Sequence, residues 1–248
     1  MRLHLIRHAD PDYARDGLTL AGHLEARALA TRVAALAPSH LYVSGLGRAR
    51  ETAAYLAAST GRTPVTDARW NELDWHVDDP NWGRLSAWDV PGEAVRHPHT
   101  SSAARAFAGP IAALHAFSDE LLARHGYRRE GGRYAVAARN DDQVVIVGHG
   151  GFTLTWLSHL LDLPVDRVWC GFWLAPTSIT TIAMEERSDG WATPRCTALG
   201  DLSHLYAAGL PPSTSGREGR GHESRCGSPA TPSTGVAPDG GARAPSSS

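Results

Sequence analysis

The sequence contains no lysine, so all 24 of its cations are arginines. Arginine is a planar fork that suits carboxylate and phosphate oxygens, although codon bias alone would explain the substitution. Cysteine is scarce too. Cys170, Cys196 and Cys226 form no close pair and leave one over, which argues against a disulfide framework and for a reducing compartment. No apolar run approaches the length of a membrane span, and His4 and Arg7 interrupt the apolar segment at the N-terminus. Neither a transmembrane helix nor a secretory leader is therefore expected, and the reading is cytoplasmic. A formal net charge of -2 excludes a global attraction to nucleic acid or to an acidic membrane. No serine occupies a G-x-S-x-G elbow: around Ser44 the text is LYVSGLG, with Tyr42 in the first glycine position. That removes a serine hydrolase, which HGG at His149 would otherwise suggest. Among 13 histidines the only tight pair is His97-Pro98-His99, and no Cys/His/carboxylate cluster has zinc-type spacing. No metal and no cofactor are expected.

What the sequence does have is 248 residues, 42% hydrophobic, enough for one domain with a continuous core. From Pro211 to Ser248 there is no Leu, Ile, Phe, Trp, Tyr or Met. Such a segment buries too little apolar surface to offset its ordering entropy, so residues 211–248 are expected to be a disordered tail behind a domain of residues 1–210.

Within that domain, strand-like and helix-like stretches alternate. Leu3 to Ile6, Leu41 to Val43 and Val144 to Val147 read as strands. Thr19 is placed to cap a helix with Leu20, Leu24 and Ala28, then Leu29, Val33 and Leu36, at helical spacing before Pro38. Further helices are expected over RARETAAYLAAS, Ala103 to His125 and Phe152 to Leu161, and an antiparallel edge from Val168 to Leu174 and Ser178 to Met184. The alternation predicts an α/β three-layer sandwich, a mostly parallel central sheet flanked by helices.

Ligands of such sheets bind beyond the carboxyl ends of the strands. The first strand is followed there by Arg7-His8, the second by Ser44-Gly-Leu-Gly-Arg48 and the buried third by Gly148-His149-Gly150-Gly151. Two of these turns lead into helix N-termini, where free N–H groups and the dipole favour an anion. Singly, each is an ordinary strand-to-helix turn; jointly they place two histidines and two arginines at one edge.

LIRHADP, LTLAG followed by EA at Leu18 to Ala26, SGLGRARETA, NEL at Asn71 to Leu73 and VGHGG, in that order, resemble the histidine phosphatase superfamily and specifically its phosphoglycerate mutase-like branch. The resemblance runs from Met1 to about Leu161. It implies that His8 is a nucleophile that becomes phosphorylated, that Arg7, Arg48 and His149 bind the phosphoryl group, and that Glu72 is the proton donor. The acid phosphatase branch carries Asp after its second histidine, whereas Gly150 follows His149 here. Ala9-Asp10 stands where Gly-Glu is common and Gly45 where Pro is frequent, so Asp10 and Asp74 remain rival carboxylates for the acid role.

The resemblance also implies an inserted, substrate-selecting lid at about residues 75–105. There Trp75, Trp82 and Trp88 could stack on an organic group and Arg84 or Arg96 meet a second acidic group, or all five could simply pack the lid down. The expected function is hydrolysis of a small phosphomonoester through a phosphohistidine. A mutase-type phosphotransferase, or a non-catalytic phospholigand-binding regulator on the same fold, is the alternative.

Overall fold

The first strand, Leu3-His4-Leu5-Ile6 with its flanking arginines, alternates its side chains between two buried faces. This computed structural model describes residues 1–73, 76–79, 83–87 and 102–217. In chain order the elements are β1 (Arg2–Arg7), β2 (Pro11–Asp12), β3 (Gly17–Leu18), α1 (Leu20–Ala34), β4 (His40–Ser44), α2 (Gly47–Thr60) and β5 (Val65–Asp67). A 3-10 turn (Ala68–Trp70) leads to β6 (His76–Asp79), β7 (Gly83–Ser86), α3 (Ser102–Arg124), β8 (Tyr127–Glu130), β9 (Arg133–Val136) and β10 (Gln143–Gly148). Then come α4 (Gly150–Leu161), α5 (Val165–Gly171), β11 (Ile179–Ser188), β12 (Trp191–Asp201) and α6 (Ser203–Ala207).

Eight strands form one mixed sheet in the order β5-β4-β10-β1-β11-β12-β9-β8. The first four are mutually parallel, and β11, β12, β9 and β8 continue antiparallel. Helices flank it. Leu3, Leu5, Val144 and Ile146 face a core with Trp70, Phe117, Phe152 and Trp156. Ile6, Val145 and Val147 face the opposite core, made with Leu29, Val33, Ala53 and Leu56 of α1 and α2. Period-two alternation explains the division, and each fully buried Leu, Ile or Val contributes about 1.5–3 kcal/mol before entropy is counted.

Thr19 caps α1 as expected, its Oγ1 accepting from the Gly22 N–H at 3.0 Å. The helix is rotated from the expected stripe, however. Leu20 and Leu24 are exposed, and the buried face is Gly22, Glu25, Ala26, Leu29, Ala30 and Val33. Gly22 sets this rotation: a Cβ there would lie 2.3 Å from the Asp10 carbonyl oxygen, so only glycine lets the helix approach β1's exit so closely.

Two further differences concern the C-terminal third. Val168 to Leu174 is not a strand: residues from Val165 to Gly171 form α5. Val165, Val168, Trp169 and Phe172 have i, i+3, i+4, i+7 spacing, and Asp166, Val168 and Trp169 are its buried residues. The other expected strand exists as β11 but lies inside the sheet beside β1, and β12, β9 and β8 extend it to the rim. Residues 211–217, beyond the expected boundary at Leu210, pack with the rest of the described chain. Within the expected lid, β6 and β7 form a hairpin pairing His76 with Ser86; Asp74, Trp75, Trp82, Trp88, Arg96, His97 and His99 lie outside the described residues, as do residues 218–248. Among the described residues no helix is long and apolar enough to cross a membrane.

Candidate active site

Arg7 pairs with Gly148 at the carboxyl ends of β1 and β10, and Val43 pairs with Val147 one strand further on. The residues that leave these three strands therefore emerge side by side. His8 and His149 have ring centroids 5.1 Å apart. Both are buried, at 2% and 0% exposure.

His8 Nδ1 lies 2.8 Å from the carbonyl oxygen of Ala9. A carbonyl only accepts, so Nδ1 carries the proton and Nε2 keeps the lone pair. Arg48 Nε donates to that Nε2 at 3.3 Å, while Arg48 Nη2 lies 3.4 Å from His149 Nδ1. One guanidinium thus bridges the two imidazoles. The far side of His149 is fixed as well: its Nε2 lies 2.8 Å from Ser44 Oγ, which donates to Asn71 Oδ1 at 2.8 Å. Burial, then the neighbouring His149 and Arg7, holds His8 well below the ordinary imidazole range. Burial, then Arg48 and Arg7, pushes His149 down to about 3. Both rings are neutral at pH 7.

Arg48 sits in the first turn of α2, and a side chain there leans toward the helix N-terminus. Asp16 holds it from the other side, with Oδ1 2.5 Å from Arg48 Nη1 and Oδ2 accepting the Gly47 N–H at 2.6 Å. A Cβ on Gly47 would stand 2.0 Å from the Asp16 carbonyl oxygen, so this turn requires glycine. Thr52, one turn on, donates to the Arg48 carbonyl and accepts the Ala9 N–H, tying α2 to β1.

Arg7 is 7% exposed, and its two terminal nitrogens donate to main-chain carbonyls, Nη1 to Leu174 at 2.6 Å and Nη2 to Ser215 at 3.0 Å. Its buried Nε has no hydrogen-bond partner among the described residues. A cation so placed, with neutral acceptors and a spare donor, is suited to an anion.

The Ser215 contact belongs to the segment that sequence composition assigned to the tail. Pro211–Arg217 instead folds over the site: Ser213 Oγ donates to Asp10 Oδ1, Gly216 lies on Arg7, and the Arg217 guanidinium sits 5.7 Å from the Trp173 ring centroid. Polar contacts to a buried cation order it where apolar burial is lacking. A chain ended at Leu210 should melt about 3–8 °C below one ended at Arg217, since charge-assisted bonds contribute about 1.5–3 kcal/mol. Equal melting temperatures by calorimetry would show that the segment adds nothing.

Glu72 closes the mouth of α4, Oε2 accepting from Gly151 N–H at 2.9 Å and Oε1 from Phe152 N–H at 2.8 Å. Asp10, a rival for the acid role, is committed elsewhere: Thr19 Oγ1 donates to its Oδ2 at 2.6 Å, and Ser213 takes the other oxygen.

Glu25, the first residue of the quoted EA, was given no role in the sequence reading. It is 3% exposed, accepts the Asp10 N–H at 2.8 Å, and burial pushes it up to about 7. Its signal was a carboxylate on the buried face of α1. Asp16, Ser44 and Asn71 were equally without roles, although the last two, like Glu25, lie within quoted motifs. Among the described residues one group has metal-ligand geometry, His40, His125 and Asp142, which the sequence spacing did not anticipate because the fold gathers it from three distant segments.

The family model of the histidine phosphatase superfamily (branch 1) matches residues 3–196. A relative from Shigella boydii named as a probable phosphoglycerate mutase is 27% identical over 236 residues, 85% of this chain and 97% of that protein. Among solved structures, a mycobacterial glucosyl-3-phosphoglycerate phosphatase is 25% identical with a TM-score of 0.54, covering 80% of this chain and 98% of that one. The phosphoserine phosphatase of Entamoeba histolytica shares the fold at 20% identity, with a TM-score of 0.58 over 82% of this chain and 98% of that one. A sheet that gathers two neutral imidazoles and two guanidiniums at one edge, and a family match over most of the length, place this chain in the histidine phosphatase superfamily, branch 1.

Proposed function

We propose that the protein hydrolyses small phosphomonoesters through a phosphohistidine on His8. One observation carries the reading: the lone pair of His8 Nε2, with Nδ1–H held by the Ala9 carbonyl, faces the Arg48 guanidinium. In the first half-reaction Nε2 attacks phosphorus and the P–O bond to the organic group breaks. Glu72, in its acid form, gives its proton to the departing oxygen. In the second, water attacks phosphorus, loses a proton to Glu72, and the P–N bond breaks to release phosphate. Dividing the reaction this way replaces one difficult step with two easier ones.

Arg7, Arg48 and His149 bind the phosphoryl oxygens in this scheme. The two guanidiniums are set before the substrate arrives, so charge developing on those oxygens meets fixed donors; His149, whose one N–H goes to Ser44 in the neutral ring, joins them by taking a proton on Nδ1 as the dianion enters. The name of the 25%-identical mycobacterial phosphatase supports hydrolysis of a phosphorylated small molecule. The name of the Shigella boydii relative supports a second reading, transfer to another hydroxyl of the same molecule. The two share the first half-reaction and part at the acceptor.

The test is a panel of phosphorylated metabolites with an aryl phosphate as general substrate, scoring both phosphate release and positional exchange of the phosphoryl group. Release of stoichiometric phosphate, with an acid-labile phosphoenzyme trapped on His8 by rapid quench, is expected. Exchange without release would establish the mutase reading. Phosphate binding without turnover of any compound would establish a phospholigand-binding regulator.

A further inference from the structure

A second cluster of ionisable side chains lies at the edge of the sheet opposite His8. His40 opens β4, Asp142 immediately precedes β10, and His125 immediately follows α3. Because β4 and β10 run parallel, with His40 paired to Val144, His40 and Asp142 stand at neighbouring amino ends. The end of α3 brings His125 against them. One ligand atom from each residue lies within 4.8 Å of the others, Asp142 Oδ2 being 3.3 Å from His125 Nδ1 and 3.5 Å from His40 Nε2.

These spacings are longer than the closest imidazole–carboxylate bonds and leave room for an ion between the groups. A charge-assisted imidazole–carboxylate hydrogen bond closes to about 2.7–2.9 Å, as His159 and Asp119 of this same chain do at 2.9 Å. Neither pair at Asp142 closes so far. Two ligands of a tetrahedral zinc ion, each bonded at about 2.0–2.2 Å, stand about 3.3–3.5 Å apart. Both Asp142 distances fall in that range, and the 3.3 Å contact to His125 is also within hydrogen-bond reach while no ion is bound.

The surroundings hold the three side chains in place. His125 Nε2 lies 3.2 Å from the Tyr42 hydroxyl, which turns Nδ1 toward Asp142, and an outer partner of this kind is usual for a metal-bound imidazole. Tyr42 is two residues beyond His40 and so shares its face of β4. Asn140 donates to the His125 carbonyl at 2.8 Å and accepts the Asp142 N–H at 3.2 Å, fixing the loop to the helix end. His125 is buried, whereas the His40 and Asp142 side chains are 42% and 29% exposed, so a fourth corner opens to water.

We propose that His40, His125 and Asp142 bind one divalent transition-metal ion, which fastens the end of α3 to the starts of β4 and β10. Two imidazoles and one carboxylate suit zinc. The length of β4, about 13 Å from His40 to Ser44 at strand rise, separates this site from the imidazole pair. Its effect is on the join between helix and sheet.

The experiment titrates the metal-free full chain with zinc chloride and reads bound metal by mass spectrometry after dialysis, together with the melting temperature. It uses the wild type, His40→Gln/Asp142→Asn and His8→Ala/His149→Gln, the last because the catalytic imidazoles are the other place where zinc would bind. The wild type should retain one ion more than His40→Gln/Asp142→Asn, with at least about 100-fold tighter binding, and only chains with His40 and Asp142 intact should gain melting temperature through this site. His8→Ala/His149→Gln should keep that ion. Equal retention in the wild type and His40→Gln/Asp142→Asn, or loss of the ion in His8→Ala/His149→Gln, would overturn the proposal. Both substituted ligands are partly exposed, and their variant should fold without zinc; a zinc-free melting temperature close to wild type checks this.

Discussion

Replacing His8 with alanine should lower kcat on any phosphomonoester by a factor of about 10⁴ or more, the scale seen when a covalent nucleophile is removed. The lone pair that attacks phosphorus is gone, and Arg48, His149 and Arg7 can still bind the phosphoryl group without anything to receive it. Binding of inorganic phosphate should therefore persist while phosphoenzyme vanishes. Arg48→Ala gives the contrasting result, a loss of about 10²–10³ in kcat, or roughly 2.7–4 kcal/mol, because one fixed donor is removed and the nucleophile remains. Single-turnover kinetics on both variants separates them. Equal losses, or His8→Ala activity within tenfold of wild type, would remove His8 from the mechanism.

Acidification from pH 7 to pH 4.5 should cost about 5 kcal/mol of folding stability, a large part of what a domain of this size possesses. Burial holds His149 at about 3 and His204 and His115 at about 4, and His8 is well below the ordinary value of 6.5. These folded-state values lie under the unfolded one. Their contribution is thus complete above pH 6.5 and is lost as pH falls, when the unfolded chain takes up protons that the folded chain refuses. At about 1.4 kcal/mol per pH unit, His149, His204 and His115 each account for about 2–3 kcal/mol by pH 4.5. Glu25 works in the opposite sense. Raised from 4.5 to about 7 by burial, it contributes stability that is full below pH 4.5 and lost as pH rises through 7, about 3 kcal/mol at most. One carboxyl offsets about one histidine, and the histidines prevail.

Denaturant titrations at the two pH values measure the balance. His204→Leu should flatten the acid loss by about 2–3 kcal/mol, since both ring nitrogens of His204 are buried without a partner among the described residues. Glu25→Gln should steepen it. A wild-type slope retained in His204→Leu would contradict the assignment to burial.

The edge that gathers His8, Arg7, Arg48 and His149 was legible because each part is written locally. An apolar run followed at once by Arg7-His8, and another followed by His149 and two glycines, place side chains at strand ends wherever the strands are parallel. Less legible were contacts that distant segments make with one another. Nothing near Asp16 announces that it will meet Arg48, and nothing in a Pro/Ser/Gly stretch announces that Ser215 will reach Arg7. The rotation of α1 was misread for a related reason. Leu20 and Leu24 are more apolar than Gly22 and Glu25, yet the face that packs is the one that glycine makes narrow enough to approach Asp10. Apolar periodicity was present from Val165 onward, but the β-branched and aromatic residues of α5 masked its period.

Arg7 and Arg48 are restrained by opposite kinds of partner, and this has a consequence for substrate exchange. Asp16 answers Arg48 with a full negative charge, so a dianion bound there as proposed would share that guanidinium with a carboxylate. The carbonyls of Leu174 and Ser215 offer Arg7 only dipoles. A phosphoryl group arriving there exchanges an ion–dipole contact for an ion pair and releases no counter-ion. If Arg7 binds the phosphoryl group as proposed, the Ser215 carbonyl is the contact on Nη2 that the dianion has to displace, at the cost of a dipole rather than a charge.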